Sequence, residues 1–271
     1  MIHAPANVLS SVDLPGGVTL PYEERGGPGG LPVLLLHGLT DSLRSFEPVL
    51  PFLSASIRAI APSQRGHGDA IKPEAGYAMA DFAADAAALL DALGIESAVI
   101  VGHSMGSAVA ARFAITYPER TSRLVLISAT GSWRNPTMVG LAEHFATLVD
   151  PIDPGFAREF QESTVAAWVP PAFMDAVVAE SQKVPARVWQ QALAGLIDSD
   201  LTPGLGLIAA PTLIVRGELD ELISAHEQAA LTAAVAGSIG VTYPGAGHAP
   251  HWEAPERFAA DLTDFLRPLV A

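Results

Sequence analysis

Residues 98–110 read AVIVGHSMGSAVA. The apolar run Ala98–Val101 has the length and composition of a strand buried on both faces. Small residues resume at Ala108, and Ser104–Tyr117 reads as a helix stopped by Pro118. Between strand and helix stands Gly102-His103-Ser104-Met105-Gly106. A serine at so sharp a strand-to-helix turn takes a strained backbone conformation that lifts its hydroxyl above the sheet. Side chains at 102 and 106 would strike neighbouring backbone, which explains both glycines. The helix start then aims free N–H groups at the hydroxyl. The bland alternative is a glycine-rich turn with an incidental serine cap, so the partners decide.

Working outward, Pro32–Leu36, Ile57–Ala61 and Leu124–Ile127 are further apolar runs of strand length, and Asp81–Leu93 has helical spacing ended by Gly94. Phe46–Leu53 reads as a short amphipathic helix. Upstream, Val8–Asp13 and Val18–Glu24 flank Pro15-Gly16-Gly17 and read as a hairpin. Alternation then stops. Between Ser132 and Gly206 the pattern is helical only, over Pro136–Val149, Phe156–Ala167, Pro171–Gln182 and Pro185–Leu196. Strands return at Thr212–Val215 and Ile239–Tyr243, with helices at Ala225–Val235 and Pro255–Leu266. This order predicts an α/β fold: a mostly parallel central sheet with helices on both faces, plus an inserted helical cap. The core spans 1–131 and 207–271, and the cap spans 132–206.

A chain of 271 residues that is 49% hydrophobic can bury a large core. Its net charge of −14 repels phosphate backbones, so no nucleic-acid partner is expected. There is no cysteine, which excludes disulfides, thiolate metal sites and a cysteine nucleophile. Met1–Pro5 carries no basic region leading into an apolar block, and no stretch of eighteen apolar residues exists. The expectation is a cytoplasmic protein without leader or membrane span. The sequence is silent on oligomeric state.

A serine nucleophile needs a base and an orienting carboxylate. His248 lies in Gly245-Ala246-Gly247-His248, just after the last strand, where it can reach Ser104. Its nearest rival, His251, is expected to be peripheral. His103 is expected to point away from the hydroxyl, and His3, His144 and His226 to lie at the surface. Asp220 follows the strand Thr212–Val215 and is the candidate acid, with Glu218 and Glu221 as alternatives. The order Ser, Asp, His suits this elbow type. For the oxyanion, the backbone N–H of Leu39 after His37-Gly38 and that of Met105 are the candidate donors, with a hydroxyl of Thr40 or Ser42 as a further one. His37 would brace this loop. No metal is expected, since the histidines show no ligand spacing, and no cofactor is implied.

On His37-Gly38, Arg65-Gly66-His67-Gly68, Gly102–Gly106, Asp220 and Gly247-His248, the chain resembles the α/β-hydrolase superfamily from about Val33 to Leu266. The resemblance implies that the insertion is a mobile cap over the site and that Arg65–Gly68, His67 included, is structural. Serine at 104 argues against haloalkane dehalogenases and epoxide hydrolases, which use aspartate there. The loop Gly38-Leu39-Thr40 lacks the aromatic-proline pair common in perhydrolases, and the features usual in C–C hydrolases are missing. A serine carboxylesterase acting on a small-to-medium, largely apolar ester remains. The alternatives are a lactonase or enol-lactone hydrolase, a perhydrolase, a C–C hydrolase and a ligand receptor on the same fold. Trp133, Phe145, Phe156, Phe160, Trp168, Phe173 and Trp189 in the insertion are the candidate pocket-lining set.

Overall fold

A computed structural model describes residues 8–270 of the chain. The elements run β1 (Val8–Leu14), β2 (Val18–Arg25), β3 (Leu31–Leu36), β4 (Ile57–Pro62), α1 (Met79–Ala92), β5 (Ala98–His103), α2 (Met105–Thr116) and β6 (Thr121–Ile127). Four helices follow, α3 (Pro136–Phe145), α4 (Pro154–Glu162), α5 (Pro171–Gln182) and α6 (Ala186–Ile197). Then come β7 (Thr212–Gly217), α7 (Ala225–Ala234), β8 (Ile239–Tyr243), α8 (Pro250–Glu253) and α9 (Pro255–Val270). Among the described residues, eight strands form one sheet in the order β1-β2-β4-β3-β5-β6-β7-β8. The β1–β2 and β2–β4 pairs are antiparallel, and the pairs from β4 across to β8 are parallel.

The apolar runs are explained by burial on both faces. Side chains alternate across a strand, so β5 sends Ile100 to one core and Val99 and Val101 to the other. The first core packs Leu34, Leu36 and Leu126 against Phe82 and Leu89 of α1 and Phe113 of α2. The second packs Leu35, Val125 and Val215 against Phe46 and, from α9, Phe258 and Leu262. Each such side chain contributes about 1.5–3 kcal/mol by leaving water. A polar substitution in β5 has no solvent-facing position to occupy.

Two local expectations are corrected. Phe46–Leu53 is not one helix but two 3-10 turns, Leu43–Phe46 and Leu50–Phe52. Pro48 and Pro51 lack the N–H groups that a continuous α ladder needs there. The segment at His251, expected as loop, is the short helix α8, opened by Pro250 at its first turn.

Helices α3–α6 enter and leave at one neck. Ser132 and Asp200 form a single antiparallel bridge, and the Leu201 N–H donates to Gly131 O at 2.9 Å. Among the described residues, no helix is long and apolar enough to cross a membrane.

Candidate active site

Ser104 caps α2 with φ 53° and ψ −119°, a conformation that non-glycine residues rarely adopt. Its N–H donates to Ile127 O at 3.0 Å, anchoring the turn to β6. The glycines are steric requirements. A Cβ on Gly102 would lie 2.0 Å from Gly106 O, and one on Gly106 would lie 2.1 Å from Leu36 O. Ser107, the residue after the motif, donates its hydroxyl to Ser104 O at 2.6 Å and braces the first turn of α2.

Three side chains from three strand ends meet. The Ser104 hydroxyl lies 2.8 Å from His248 Nε2. On the far side of the ring, His248 Nδ1 lies 2.9 Å and 3.0 Å from the two carboxylate oxygens of Asp220. Burial alone would raise the Asp220 carboxyl. The facing imidazole, with the Ile223 and Leu222 amides, outweighs burial and holds it below the usual carboxylate range. Those amides donate to Asp220 Oδ1 at 3.0 Å and 2.9 Å. An ionised carboxylate only accepts, so His248 Nδ1 is the donor and Nε2 faces the serine as acceptor. Glu218 is turned elsewhere, with its carboxylate on the Gly245 N–H at 3.0 Å.

Met105 opens α2, and Leu39 follows β3 and lines the cavity at Ser104. Among the described residues, no hydrogen bond runs from either backbone N–H to the protein. Neither Thr40 nor Ser42 lines the cavity at Ser104. The Thr40 hydroxyl accepts from Gln161 Nε2 at 3.0 Å, and the Ser42 hydroxyl accepts from the Arg44 N–H as a cap. Thr40 itself has φ 65°, an uncommon conformation for a β-branched residue. His37 braces the loop as expected, with Nδ1 on Gly38 O at 2.8 Å and Nε2 accepting from the Gln64 N–H at 2.9 Å. His67 is buried against Arg65 O at 2.8 Å and has no part in the triad.

The helical insertion reaches both sides of this site. Gln161 at the end of α4 donates through Nε2 to Asp41 at 3.1 Å and to Ser181 of α5 at 2.8 Å, besides Thr40. Thr164 O accepts the His248 N–H at 2.8 Å. Glu253 ties the same stretch to the histidine loop. Its carboxylate accepts from the Gly247 N–H at 2.8 Å and from the Ala166 and Ala167 N–H groups at 3.0 Å and 2.5 Å. Sequence reasoning missed Asp41, Gln161, Thr164 and Glu253. Asp41 alone carried a signal, as a carboxylate four residues after the His37 that ends an apolar strand.

The histidines divide differently from expectation. His103 does point away from the hydroxyl: its Nε2 donates to His248 O at 2.9 Å. His251 is not peripheral. It is fully buried, with its ring centroid 4.4 Å from that of His103. The short helix α8 turns it inward, which a loop reading could not anticipate.

A cavity of about 30 Å³ surrounds Ser104 and His248. Of the aromatics proposed to line it, Trp133 and Phe160 do. The other five are corrections. Phe145 and Trp189 form the core of the insertion, 5.1 Å apart between ring centres. Phe156 packs on that core and faces a separate open hollow. Phe173 stacks edge-on against Trp252 at 5.4 Å. Trp168 is 75% exposed. Met138, Leu141, Leu196 and Leu222 take their places on the wall.

A family model described as alpha/beta hydrolase fold matches residues 32–255. The chain is similar to 2-(acetamidomethylene)succinate hydrolase of Mesorhizobium japonicum, at 31% identity over 93% of this chain and 92% of that protein. It is similar to non-heme chloroperoxidase of Streptomyces lividans, at 30% identity over 96% and 100%. It superposes on a thermophilic esterase from Thermogutta terrifontis, solved with malate bound, with TM-score 0.87, 27% identity and 97% and 100% coverage. The sheet order, the strained serine between β5 and α2, and a family match over most of the length agree: the chain belongs to the alpha/beta hydrolase fold family.

Proposed function

We propose that the protein is a serine hydrolase that cleaves carboxylic esters through an acyl-enzyme on Ser104. The observation that carries this reading is the unbroken chain Asp220–His248–Ser104 at hydrogen-bond distance. His248 Nε2 takes the hydroxyl proton as Ser104 Oγ attacks the ester carbonyl carbon. The Leu39 and Met105 N–H groups stabilise the oxyanion. His248 returns its proton to the departing alkoxide, which leaves as the alcohol. Water then enters, gives a proton to His248, attacks the acyl carbon and releases the acid, and Ser104 regains its proton. Asp220 holds the tautomer throughout and stabilises the imidazolium.

The substrate in this reading is a small, mostly apolar ester. The cavity wall is largely apolar, and neither it nor the open hollow beside Asp220 includes a Lys or Arg. Glu218 and Glu221 border that hollow. A dicarboxylate of the kind named for the Mesorhizobium relative would meet no cationic clamp here. A cavity of about 30 Å³ is below the roughly 300 Å³ of a typical ligand pocket. The insertion 132–206 therefore acts as a cap that shifts on substrate entry, over the sheet and helices on either side of it in the chain. A cytoplasmic location fits a chain without cysteine.

The test is steady-state turnover of aryl and alkyl esters from acetate to octanoate, with lactones alongside, for the parent and Ser104→Ala. Turnover that falls with chain length and disappears in the variant is expected. Ester turnover retained by Ser104→Ala would overturn the reading.

A further inference from the structure

Behind the triad lies a second polar group of residues that the mechanism above does not use. Asp41 and His103 both line the Ser104 cavity and are 3% and 2% exposed. His103 Nε2 is committed as a donor to His248 O. In a neutral ring Nδ1 is then an acceptor, and among the described residues it has no hydrogen-bond partner. Its polar neighbour is Asp41 Oδ2 at 4.0 Å, too far for a direct bond. Gly38 keeps a notch open between them. A Cβ there would lie 3.0 Å from His103 Nδ1 and 3.2 Å from Asp41 Oδ2. An unpaired buried acceptor costs about 1–3 kcal/mol, so a site that keeps one beside its nucleophile is built to receive a donor.

We propose that Asp41 and His103 form a subsite for a hydroxyl group of the substrate, in the same cavity as Ser104. The inference rests on the reading of Ser104 as nucleophile for its orientation, though the binding itself does not require turnover. Burial lowers His103 to about 3 and raises Asp41 to about 7, so near neutrality the ring is uncharged and the carboxyl retains much of its proton. The pair therefore offers one acceptor and one donor. A hydroxyl satisfies both. A carbonyl leaves His103 Nδ1 unpaired, and an ammonium leaves the acid proton unpaired. An oxygen about 2.8 Å from each atom closes the 4.0 Å gap.

The position also fixes where on the substrate that hydroxyl stands. Asp41, His103 and Ser104 line one cavity of only about 30 Å³. The subsite is thus within a few bonds of the reacting carbonyl. The substrate class is an ester of a 2- or 3-hydroxycarboxylic acid. Gln161 and Ser45 hold the carboxyl in place, at 3.1 Å and 3.2 Å from its two oxygens.

The experiment measures binding to Ser104→Ala by calorimetry, with two pairs of near-isosteric esters. They are methyl 3-hydroxybutanoate against methyl 3-methylbutanoate, and methyl 2-hydroxypropanoate against methyl 2-methylpropanoate. The hydroxylated member of at least one pair is expected to bind about tenfold more tightly. That preference is expected to collapse when Asp41→Leu is added. Where Asp41→Leu does not fold, His103→Leu serves, since a merely structural role would change both members of a pair alike. Equal affinity within both pairs would leave the notch to solvent and overturn the proposal, as would no binding of any of the four. Turnover by the parent separates the two readings. Hydrolysis of the alkyl esters with no hydroxyl preference sinks the subsite alone. Hydroxyl-selective binding to Ser104→Ala, with no hydrolysis of that ester by the parent, supports the subsite and counts against the esterase reading.

Discussion

The elbow and the helical insertion both build the site, by different physics. At the elbow, close backbone packing does the work. A parallel strand ends, a helix begins, and the backbone between them leaves no room for a Cβ at Gly102 or Gly106. In the insertion, hydrogen bonds between distant segments do it. Gln161, Thr164 and Glu253 connect separate loops to each other across long stretches of chain. The first arrangement is signalled by one short stretch of sequence, although Gly106 closes against the backbone of Leu36 and His37. The second depends on how α4 lands over the loop that follows β3, and single substitutions can loosen it without unfolding the sheet.

The largest loss is expected at the elbow. Gly106→Ala would place a Cβ 2.1 Å from Leu36 O and 2.6 Å from His37 O, both backbone atoms. We expect a loss of about 4 kcal/mol or more, read as little soluble protein or a large fall in Tm. A variant with unchanged Tm would show that this turn is not close-packed.

Acidification is the next largest effect. Burial pushes His37, His67, His103 and His251 below their ordinary value, to about 4 for His67 and about 3 for His103. The unfolded chain takes up protons near 6.5 that the folded chain refuses. Their contribution to stability is complete above pH 6.5 and is lost progressively as pH falls below it, down to about 4 for His67 and about 3 for His103. Asp41 opposes this, because its raised pKa favours the folded state as pH falls from about 7 toward 3.8. Four groups outweigh one. Each tenfold difference in proton affinity between the folded and unfolded chain is worth about 1.4 kcal/mol. Urea unfolding at pH 7 and pH 4.5 should therefore differ by about several kcal/mol. Equal stability at the two values would mean that these histidines are not held neutral.

Gln161→Leu sharpens the comparison from the insertion side. It removes one amide that serves Thr40, Asp41 and Ser181, at about 1–3 kcal/mol of stability. Because Thr40 adjoins Leu39, ester kcat should fall about tenfold while the sheet stays folded. An unchanged kcat would show that the oxyanion loop holds itself. The smallest effect is expected at Trp168, which is 75% exposed. Trp168→Ser should change stability by less than about 0.5 kcal/mol, checked by urea unfolding. Trp133→Ala, at a fully buried wall position, should cost about 3–5 kcal/mol.

The same division decides what was legible in the sequence. Strands β3, β5, β6 and β7 were readable because burial on both faces leaves continuous apolar runs. Ser104 and Asp220 were readable because each follows such a run, where α/β sheets present side chains to ligands, and His248 because it stands in the glycine-rich turn after the last strand. The insertion aromatics were not. A helical pattern shows that Phe145 and Trp189 are buried, and cannot say whether against a cavity or against each other. Trp168 fails for a related reason: it stands between two predicted helices, and nothing local shows that its side chain faces solvent. Gln161 and Glu253 carry no local signal at all, since their partners lie on other segments. His251 was lost because a helix of four residues, Pro250–Glu253, leaves too little periodicity to read.

The most direct test of the central claim is to trap the intermediate. The protein would be mixed with excess p-nitrophenyl butanoate, quenched in acid within the first turnovers, and digested for mass spectrometry. A butanoyl adduct on Ser104 is expected in the parent and is absent in Ser104→Ala. Ester turnover by the parent with no adduct on Ser104, or with the acyl group on another residue, would contradict it.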